Sequence, residues 1–286
     1  MRALDCARGA GAGPMKQRIL FLTAAVLAFT APAFAEAPDD AVPGHPGVTY
    51  AKLLRQIAPD LAKDQDTWTL SRIKNFRGMA PSKEPLSEAV SFSELTVLHV
   101  REDGHKRILL FSGDSAGDEG FDTLIAAFDD EAKTPRLLDY MDVGGDRFNS
   151  LGEVKPIAAA TDMFLVSSTH SNSNQSYELD TPMFLRGGKF QTVDTFFIFG
   201  NSFCSYSETQ SPTYGTKPGK PYYDLTVSVS VDVVRNDDEC GSDSPKPPKA
   251  GKRVVTDTYR WNGKTFAPTT KAVGRLSDAN WKWNAQ

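Results

Sequence analysis

The sequence predicts an all-β protein built as a meander of antiparallel hairpins, with a short N-terminal helix after a signal peptide. From about residue 67 onward, apolar side chains tend to alternate with polar ones, which is the period of a half-buried strand. Turn-forming pairs such as Asp103-Gly104 and Asn262-Gly263 separate these runs. We expect about eleven strands in a sandwich or a partly open barrel, because a full propeller would need more strands.

The first 35 residues are organised like a secretory signal peptide. Lys16 and Arg18 form a basic region, residues 19–30 are an apolar run, and residues 33–35 form an A-x-A cleavage signature. The apolar run is shorter than the roughly 20 residues that a membrane-spanning helix needs. We predict that translation starts at Met15, that cleavage follows residue 35, and that the protein is periplasmic or secreted with no membrane span.

The segment after the predicted cleavage point contains a leader and then a helix. Residues 36–47 are rich in proline, small and acidic residues, so we expect a flexible leader. Thr49 is a good N-cap, and apolar residues follow it at spacings of three and four. This pattern predicts a helix over 49–63 that Pro59 kinks. Residues 48–286 are expected to form one β-rich domain that begins with this helix.

Hairpins follow one another along the rest of the chain. Residues 94–112 contain two strands joined at Asp103-Gly104, and residues 122–143 predict a second hairpin with a longer loop. A helix is the alternative for the second segment, because its apolar residues also fit a helical spacing. The hairpins on either side favour strands. Residues 222–235 alternate strictly, which predicts a long strand with one buried face.

The charge balance disfavours nucleic-acid and anionic membrane partners. The full chain has 32 basic and 36 acidic residues. Removing residues 1–35, which contain four basic residues and one acidic residue, leaves 28 basic and 35 acidic residues, a formal net charge of −7. A chain this acidic, without a basic cluster, binds polyanions poorly.

Two of the three cysteines predict a structural disulfide. Cys204 and Cys240 follow the predicted cleavage point, whereas Cys6 precedes it. Export compartments oxidise thiols, and the spacing of the pair matches no CxxC motif. We predict that Cys204 and Cys240 are bonded and close a loop of 37 residues.

The sequence "GDSAG" at 113–117 matches the G-x-S-x-G pattern of a nucleophile elbow. A secreted serine-type hydrolase, with Ser115 as nucleophile and His170 as base, is therefore one alternative function. However, an α/β-hydrolase needs alternating strands and helices, and this chain predicts hairpins. We therefore assign no catalytic residue and expect binding rather than an enzyme activity.

Acidic loops suggest a second alternative, a calcium-stabilised structural module. Ca²⁺ prefers oxygen ligands, and two loops supply them at short spacing. The first loop offers Asp114, Asp118, Glu119 and Asp122, and the second offers Asp142, Asp146 and Asn149. The EF-hand pattern is absent because Ala116 occupies a ligand position. Apart from this Ca²⁺, we expect no cofactor.

Histidines do not predict a transition-metal site. His99 and His105 are the closest pair in the sequence. If Asp103-Gly104 is a two-residue turn, Glu102 faces His105. His99, three residues from Glu102, then points to the opposite face of the sheet.

The candidate ligand site is the polar run "STHSNSNQSYE" at 168–178, which carries almost no charge and lies between two apolar runs. We predict an exposed connection between two antiparallel strands, because such side chains need water or a ligand. Polar groups beside an aromatic ring suit a carbohydrate, a peptide or an envelope protein, whereas a solvated loop is the alternative. The predicted ligand-binding residues are His170, Asn172, Asn174 and Tyr177.

Overall fold

The structure of this chain is a computed structural model. In its described part, alternating side chains and tight turns produce three antiparallel sheets and two helices. The structure describes residues 34–74, 76–79, 89–112, 123–146, 148–171, 175–236, 240 and 247–284. In chain order the elements are β1 (Phe34–Glu36), α1 (Tyr50–Leu54), β2 (Ala62–Asp64), β3 (Thr67–Leu70), β4 (Val90–Phe92), β5 (Leu95–Glu102), β6 (His105–Phe111), β7 (Leu124–Asp129), β8 (Arg136–Asp142), β9 (Phe148–Ala158), β10 (Thr161–Ser171), β11 (Gln175–Arg186), β12 (Lys189–Thr192), β13 (Phe196–Ser202), β14 (Tyr206–Lys217), β15 (Asp224–Arg235), β16 (Gly251–Trp261), β17 (Phe266–Pro268) and α2 (Ala272–Asn284).

The strand order confirms the predicted all-β hairpin meander, but the described residues form seventeen strands, more than the eleven or so that we expected. The five-stranded sheet has the order β1-β5-β6-β7-β8, and the small sheet has the order β2-β3-β4. The long sheet has the order β17-β16-β15-β14-β13-β11-β10-β9, and β12 pairs with β11. Sequence neighbours are thus usually sheet neighbours, as short turns require. At the first hairpin, Asp103 and Gly104 have φ of 50° and 87°, the positive values that a type I′ turn needs.

The long sheet packs face to face on the five-stranded sheet and forms a sandwich. Phe164, Val166 and Met183 of the long sheet are buried in one cluster with Leu109 and Phe111 of the five-stranded sheet. The opposite face of the five-stranded sheet is covered by α1 and the small sheet, which explains why its strands are apolar on both faces.

The long sheet also curls around a core of its own. The alternating residues Val227, Val229 and Val231 of β15 are buried in one cluster with Met163 and Phe184 of β10 and β11. Near the two approaching parts of the sheet, the Tyr223 amide donates to the carbonyl of Ile157 at 2.7 Å. The strict alternation that the sequence shows at 222–235 therefore reflects the inner face of this curl.

The helix predicted over 49–63 is wrong in its extent. Thr49 does cap α1, but α1 covers only Tyr50–Leu54 and the chain continues in turns to β2. Pro59 lacks a backbone N–H, which disfavours a continuous helix over 49–63. Ile57 and Leu61 are nevertheless buried, so their spacing marks core positions and not a continuous helix.

Residues 36–47, which we expected to be a flexible leader, pack onto the folded part of the chain. The Val42 side chain is 2% exposed, and the Val42 amide donates to the carbonyl of Val48 at 2.9 Å. His45 Nε2 lies 2.7 Å from Asp130 Oδ1 in the turn after β7. β1 spans the predicted cleavage point at the edge of the five-stranded sheet, where it pairs with β5.

The predicted disulfide is present. Cys204 and Cys240 are bonded, with Cα atoms 5.7 Å apart. The bridge joins the β13–β14 turn to the chain that follows β15, and β14 and β15 are paired along their whole length. No helix of the described residues is long and apolar enough to cross a membrane.

Sequence reasoning missed the C-terminal helix α2. Its N-terminus is held from β16 by Asp257, whose carboxylate accepts hydrogen bonds from the amides of Thr270 and Val273. Val273 and Leu276 of α2 contact the core of the curled sheet. Val273 and Leu276 lie three residues apart in the sequence, but one such spacing is too short a pattern to predict a helix.

Candidate functional site

The polar run is part of a strand ladder for most of its described length. β10 extends to Ser171 and β11 begins at Gln175, with His170 directly opposite Tyr177. The prediction that His170 and Tyr177 lie on an exposed connection is therefore wrong: they are half-buried strand residues. Asn172 and Asn174 lie outside the described residues.

Asp146 joins the His170 and Tyr177 side chains. His170 Nδ1 lies 3.0 Å from Asp146 Oδ1, and the Tyr177 hydroxyl donates to Asp146 Oδ2. Asp146 is held in the loop after β8, where Asn149 Nδ2 donates to its carbonyl at 2.7 Å. The adjacent Gly145 amide donates to Ser168 Oγ of β10 at 3.1 Å. These contacts fix one carboxylate against two strands.

An aromatic stack continues from His170 into the protein. The imidazole of His170 stacks on the ring of Tyr177 with centroids 5.3 Å apart, and Tyr177 stacks on Phe197 at 4.9 Å. Phe197 then contacts Trp281 of α2 at 4.5 Å. Burial, followed by the hydrogen bond with Asp146, raises the pKa of Tyr177. Its hydroxyl therefore acts as a neutral donor that orients Asp146.

A second group of polar side chains lies on the other face of the same strands. By the pairing register, Ser167, Glu178 and Asp180 point away from the face that carries His170 and Tyr177. Asp180 is buried and accepts hydrogen bonds from Ser167 Oγ at 2.5 Å and from the Tyr214 hydroxyl at 2.6 Å. Burial, then the charge of Asp180, raises the pKa of Glu178 to about 7. Glu178 thus changes charge near neutral pH.

A groove with a volume of about 220 Å³ crosses this end of β10, β11, β13 and β14. By the pairing register, Thr169, Ser176 and Thr209 of its lining share the face of Glu178. His170 and Tyr177 border the groove from the same strands, but their rings point to the other face. Gly200 of β13 leaves room for Ser176, because a Cβ atom at this position would lie 2.6 Å from Ser176 Oγ. The other lining residues are Ser171, Ile198, Phe199 and Gln210.

Glu178→Gln is expected to raise stability above pH 7 and to leave it nearly unchanged below pH 5. The raised pKa means that the protonated carboxyl is the favoured form in the folded state. Its contribution to stability is fully present below about pH 4.5 and is lost as pH rises through about 7. We expect a gain on the order of 1 kcal/mol at pH 8, because partial exposure screens the charge. Urea unfolding of both proteins from pH 5 to pH 8 measures it, and a difference that does not change with pH would contradict the assignment.

The structure does not describe the predicted serine and calcium residues of the first acidic loop. Ser115, Asp114, Asp118, Glu119 and Asp122 all lie within 113–122, outside the described residues. The residues of the second loop take part in hydrogen bonds: Asp142 Oδ1 accepts from the amides of Thr123 and Gly144. Asn149 Nδ2 donates to Thr123 Oγ1 at 2.9 Å.

The described residues contain no group of three or more histidine, cysteine or acidic side chains that could hold a metal ion. The expected separation of His99 from His105 is confirmed by the register, in which Glu102 faces His105. His105 lies against Glu131, and His99 Nδ1 is 3.8 Å from Asp130.

Sequence reasoning found His170 and Tyr177 but missed their partners. The sequence predicts Asp146 only as a calcium ligand and does not predict Glu178 or Asp180 as site residues. The alternation of Glu178 and Asp180 along one strand was the available signal, because it places both carboxylates on one face.

Comparisons with known proteins give no family and no fold relative: no protein-family model matches the chain, and no curated protein or solved structure shows significant similarity to it.

Proposed function

We propose that this chain is an exported binding protein that holds a small, hydroxyl-rich ligand such as a carbohydrate, without catalysis, in the groove across β10, β11, β13 and β14. The observation that carries the proposal is the lining of this groove. Hydroxyl side chains surround it, and each can both donate and accept a hydrogen bond: Thr169, Ser171, Ser176 and Thr209. Glu178 and Ile198, which face each other across β11 and β13, complete the lining on the same face. Sites for small polar ligands combine such features.

Two features support export to the periplasm or beyond. The sequence organisation of residues 15–35 is that of a cleaved signal peptide. The bond between Cys204 and Cys240 is compatible with an oxidising compartment. An exported location would bring the groove into contact with envelope glycans, peptides or proteins.

The strands that carry the groove are held rigid from their opposite face, which favours recognition. There Asp146 fixes both His170 and Tyr177, and the stack on Phe197 fixes the Tyr177 ring. A site whose backbone is held before binding loses little conformational entropy when a ligand arrives.

Filling the groove is expected to abolish ligand binding. Thr209 is an exposed groove residue of β14, so Thr209→Trp would occupy the space that the ligand needs. Thr213→Trp is the matched control, because Thr213 is exposed on the same strand and lies outside the groove lining. A glycan array followed by calorimetry on the best glycan should show at least a tenfold loss for Thr209→Trp only, equal to about 1.4 kcal/mol.

Equal binding by both tryptophan variants would exclude the groove as the site. Binding of peptides or of an envelope protein, with no glycan retained, would replace carbohydrate by that class of ligand. If the wild-type protein retained none of these, the proposed function would be wrong.

A secreted serine-type hydrolase is the second candidate, and one observation favours it. The contact of Asp146 with His170 Nδ1 is the kind that orients an imidazole as a general base. An active-site serine probe tests the candidate: labelling at Ser115 that is lost in His170→Ala would favour hydrolysis over binding. A probe that leaves Ser115 unlabelled would favour the binding proposal.

A further inference from the structure

A second cavity, of about 190 Å³, lies between α2 and the ends of β13, β14 and β16. Apolar side chains form part of it, including Phe199 of β13 and Leu276 of α2. The polar residues that line it are Asn201, Glu208, Arg253 and Asn280. Its size suits a ligand smaller than a typical drug molecule.

The wall of this cavity is built by α2 where two strands separate. β13 and β14 pair only at 200–202 and 207–209, so the backbone of Phe197 has no strand partner on that side. Two side chains of α2 replace this partner: the Phe197 amide donates to Ser277 Oγ at 2.9 Å, and Asn280 Nδ2 donates to the Phe197 carbonyl at 2.8 Å. The helix is thus fixed against β13, and the cavity is preformed.

Of the three amide side chains beside the cavity, two have hydrogen-bond partners and that of Asn201 has none. Gln210 and Asn280 bond to each other in both directions, at 3.1 Å and 2.8 Å, and Gln210 also donates to Glu208 at 2.8 Å. Asn201 is 6% exposed, and neither its amide nitrogen nor its amide oxygen has a hydrogen-bond partner. A buried donor and acceptor without partners destabilise a folded protein, so a pair of them is uncommon in a structural position.

The charged residues around Asn201 indicate the class of ligand. The pairing register places Glu208 directly opposite Asn201, and Arg253 of β16 lines the same cavity. One side chain of each charge and an unpaired amide together complement a molecule with an ammonium, a carboxylate and an amide group. A dipeptide carries these three groups within a small volume.

We propose that this cavity is a binding site for a dipeptide with free ends. Asn201 pairs with the peptide group, Glu208 with the ammonium and Arg253 with the carboxylate. The site adjoins the groove across β10 and β11, since Phe199 lines both, but the inference does not depend on the carbohydrate proposal.

The probe is L-alanyl-L-alanine, titrated into ¹⁵N-labelled exported protein and followed by NMR and calorimetry. We expect the side-chain amide signals of Asn201, assigned by their loss in Asn201→Leu, to shift on binding. N-acetylation or C-amidation of the dipeptide should each weaken binding about tenfold, since each removes one charged contact. Arg253→Gln should mimic C-amidation, whereas Arg260→Gln, which changes an exposed arginine of the same strand outside the cavity lining, should bind normally.

Asn201→Leu separates a binding role from a structural one. Leucine has a similar size and no unpaired polar atoms, so the variant should lose dipeptide binding while its melting temperature rises by about 3 °C. A lower melting temperature would show that Asn201 is a structural residue and would overturn the proposal. The proposal would also be overturned if the wild-type protein did not bind the dipeptide at about 10 mM, because even a weak site with a Kd of about 1 mM would be mostly occupied at that concentration.

Discussion

Replacing both Cys204 and Cys240 with serine is expected to lower the free energy of unfolding by roughly 3–4 kcal/mol. The disulfide spans a sequence separation of 36 residues and restricts the unfolded chain across β14 and β15. For a chain of this length, the loss corresponds to a fall in melting temperature of about 10 °C. Thermal and urea unfolding of the exported protein, compared with the double variant, measure both quantities.

Reduction of the wild-type protein provides a matched control for this experiment. Dithiothreitol should lower wild-type stability by a similar amount and leave the serine variant unchanged, because only the wild type contains the bond. A serine variant as stable as the oxidised wild type would contradict the prediction. It would mean that residues of β14 and β15 stay paired in the unfolded state, so that the disulfide adds no further restriction there.

Asp257→Ala is expected to lower the free energy of unfolding by about 3 kcal/mol and to loosen α2. Asp257 is 1% exposed, and its carboxylate accepts hydrogen bonds from the Thr270 amide at 3.0 Å, the Val273 amide at 2.8 Å and the Thr270 hydroxyl. Removing the carboxylate leaves buried donors without partners at the N-terminus of a helix. Urea unfolding gives the energy, and hydrogen exchange of α2 amides gives the local effect.

Asp232→Ala is the control for Asp257→Ala. Asp232 lies on the neighbouring strand β15 and forms an ion pair with Lys252, whose side chain is highly exposed. Exposed pairs contribute little, so this variant should lose no more than about 1 kcal/mol. If the two variants were equally stable, the hydrogen bonds of Asp257 would not be what holds α2 to the sheet.

The hairpins and the disulfide could be predicted from the sequence, because both depend on local signals. Asp103-Gly104 has the residue types of a type I′ turn, and the strict alternation in β15 places every second side chain on a buried face. The two cysteines of the predicted mature chain left one pairing. The turn and strand signals each lie within a few residues, and the disulfide follows from the number of cysteines. None of them needs knowledge of distant contacts.

The extent of the helices and the composition of the site depended on contacts between distant residues. α1 ends early because Ile57 and Leu61 reach the core from turns, and α2 forms where Ser277 and Asn280 bond to Phe197, about 80 residues earlier in the chain. His170 and Tyr177 were found because they lie in one polar run. The contact of Asp146 with them could not be read from the sequence, because it depends on the packing of the loop after β8 against β10.

The sequence by itself therefore determined the antiparallel hairpin architecture, the Asp103-Gly104 turn, the disulfide and two residues of the candidate groove. The tertiary structure alone decided which side chains share a face, which carboxylates lie close enough to shift the pKa of Glu178, and where Asn201 is buried without a partner. The physical reason is range: alternation and turn chemistry act between neighbours in the chain. Burial, charge and hydrogen-bond pairing at a site depend on strands brought together by the curl of the sheet.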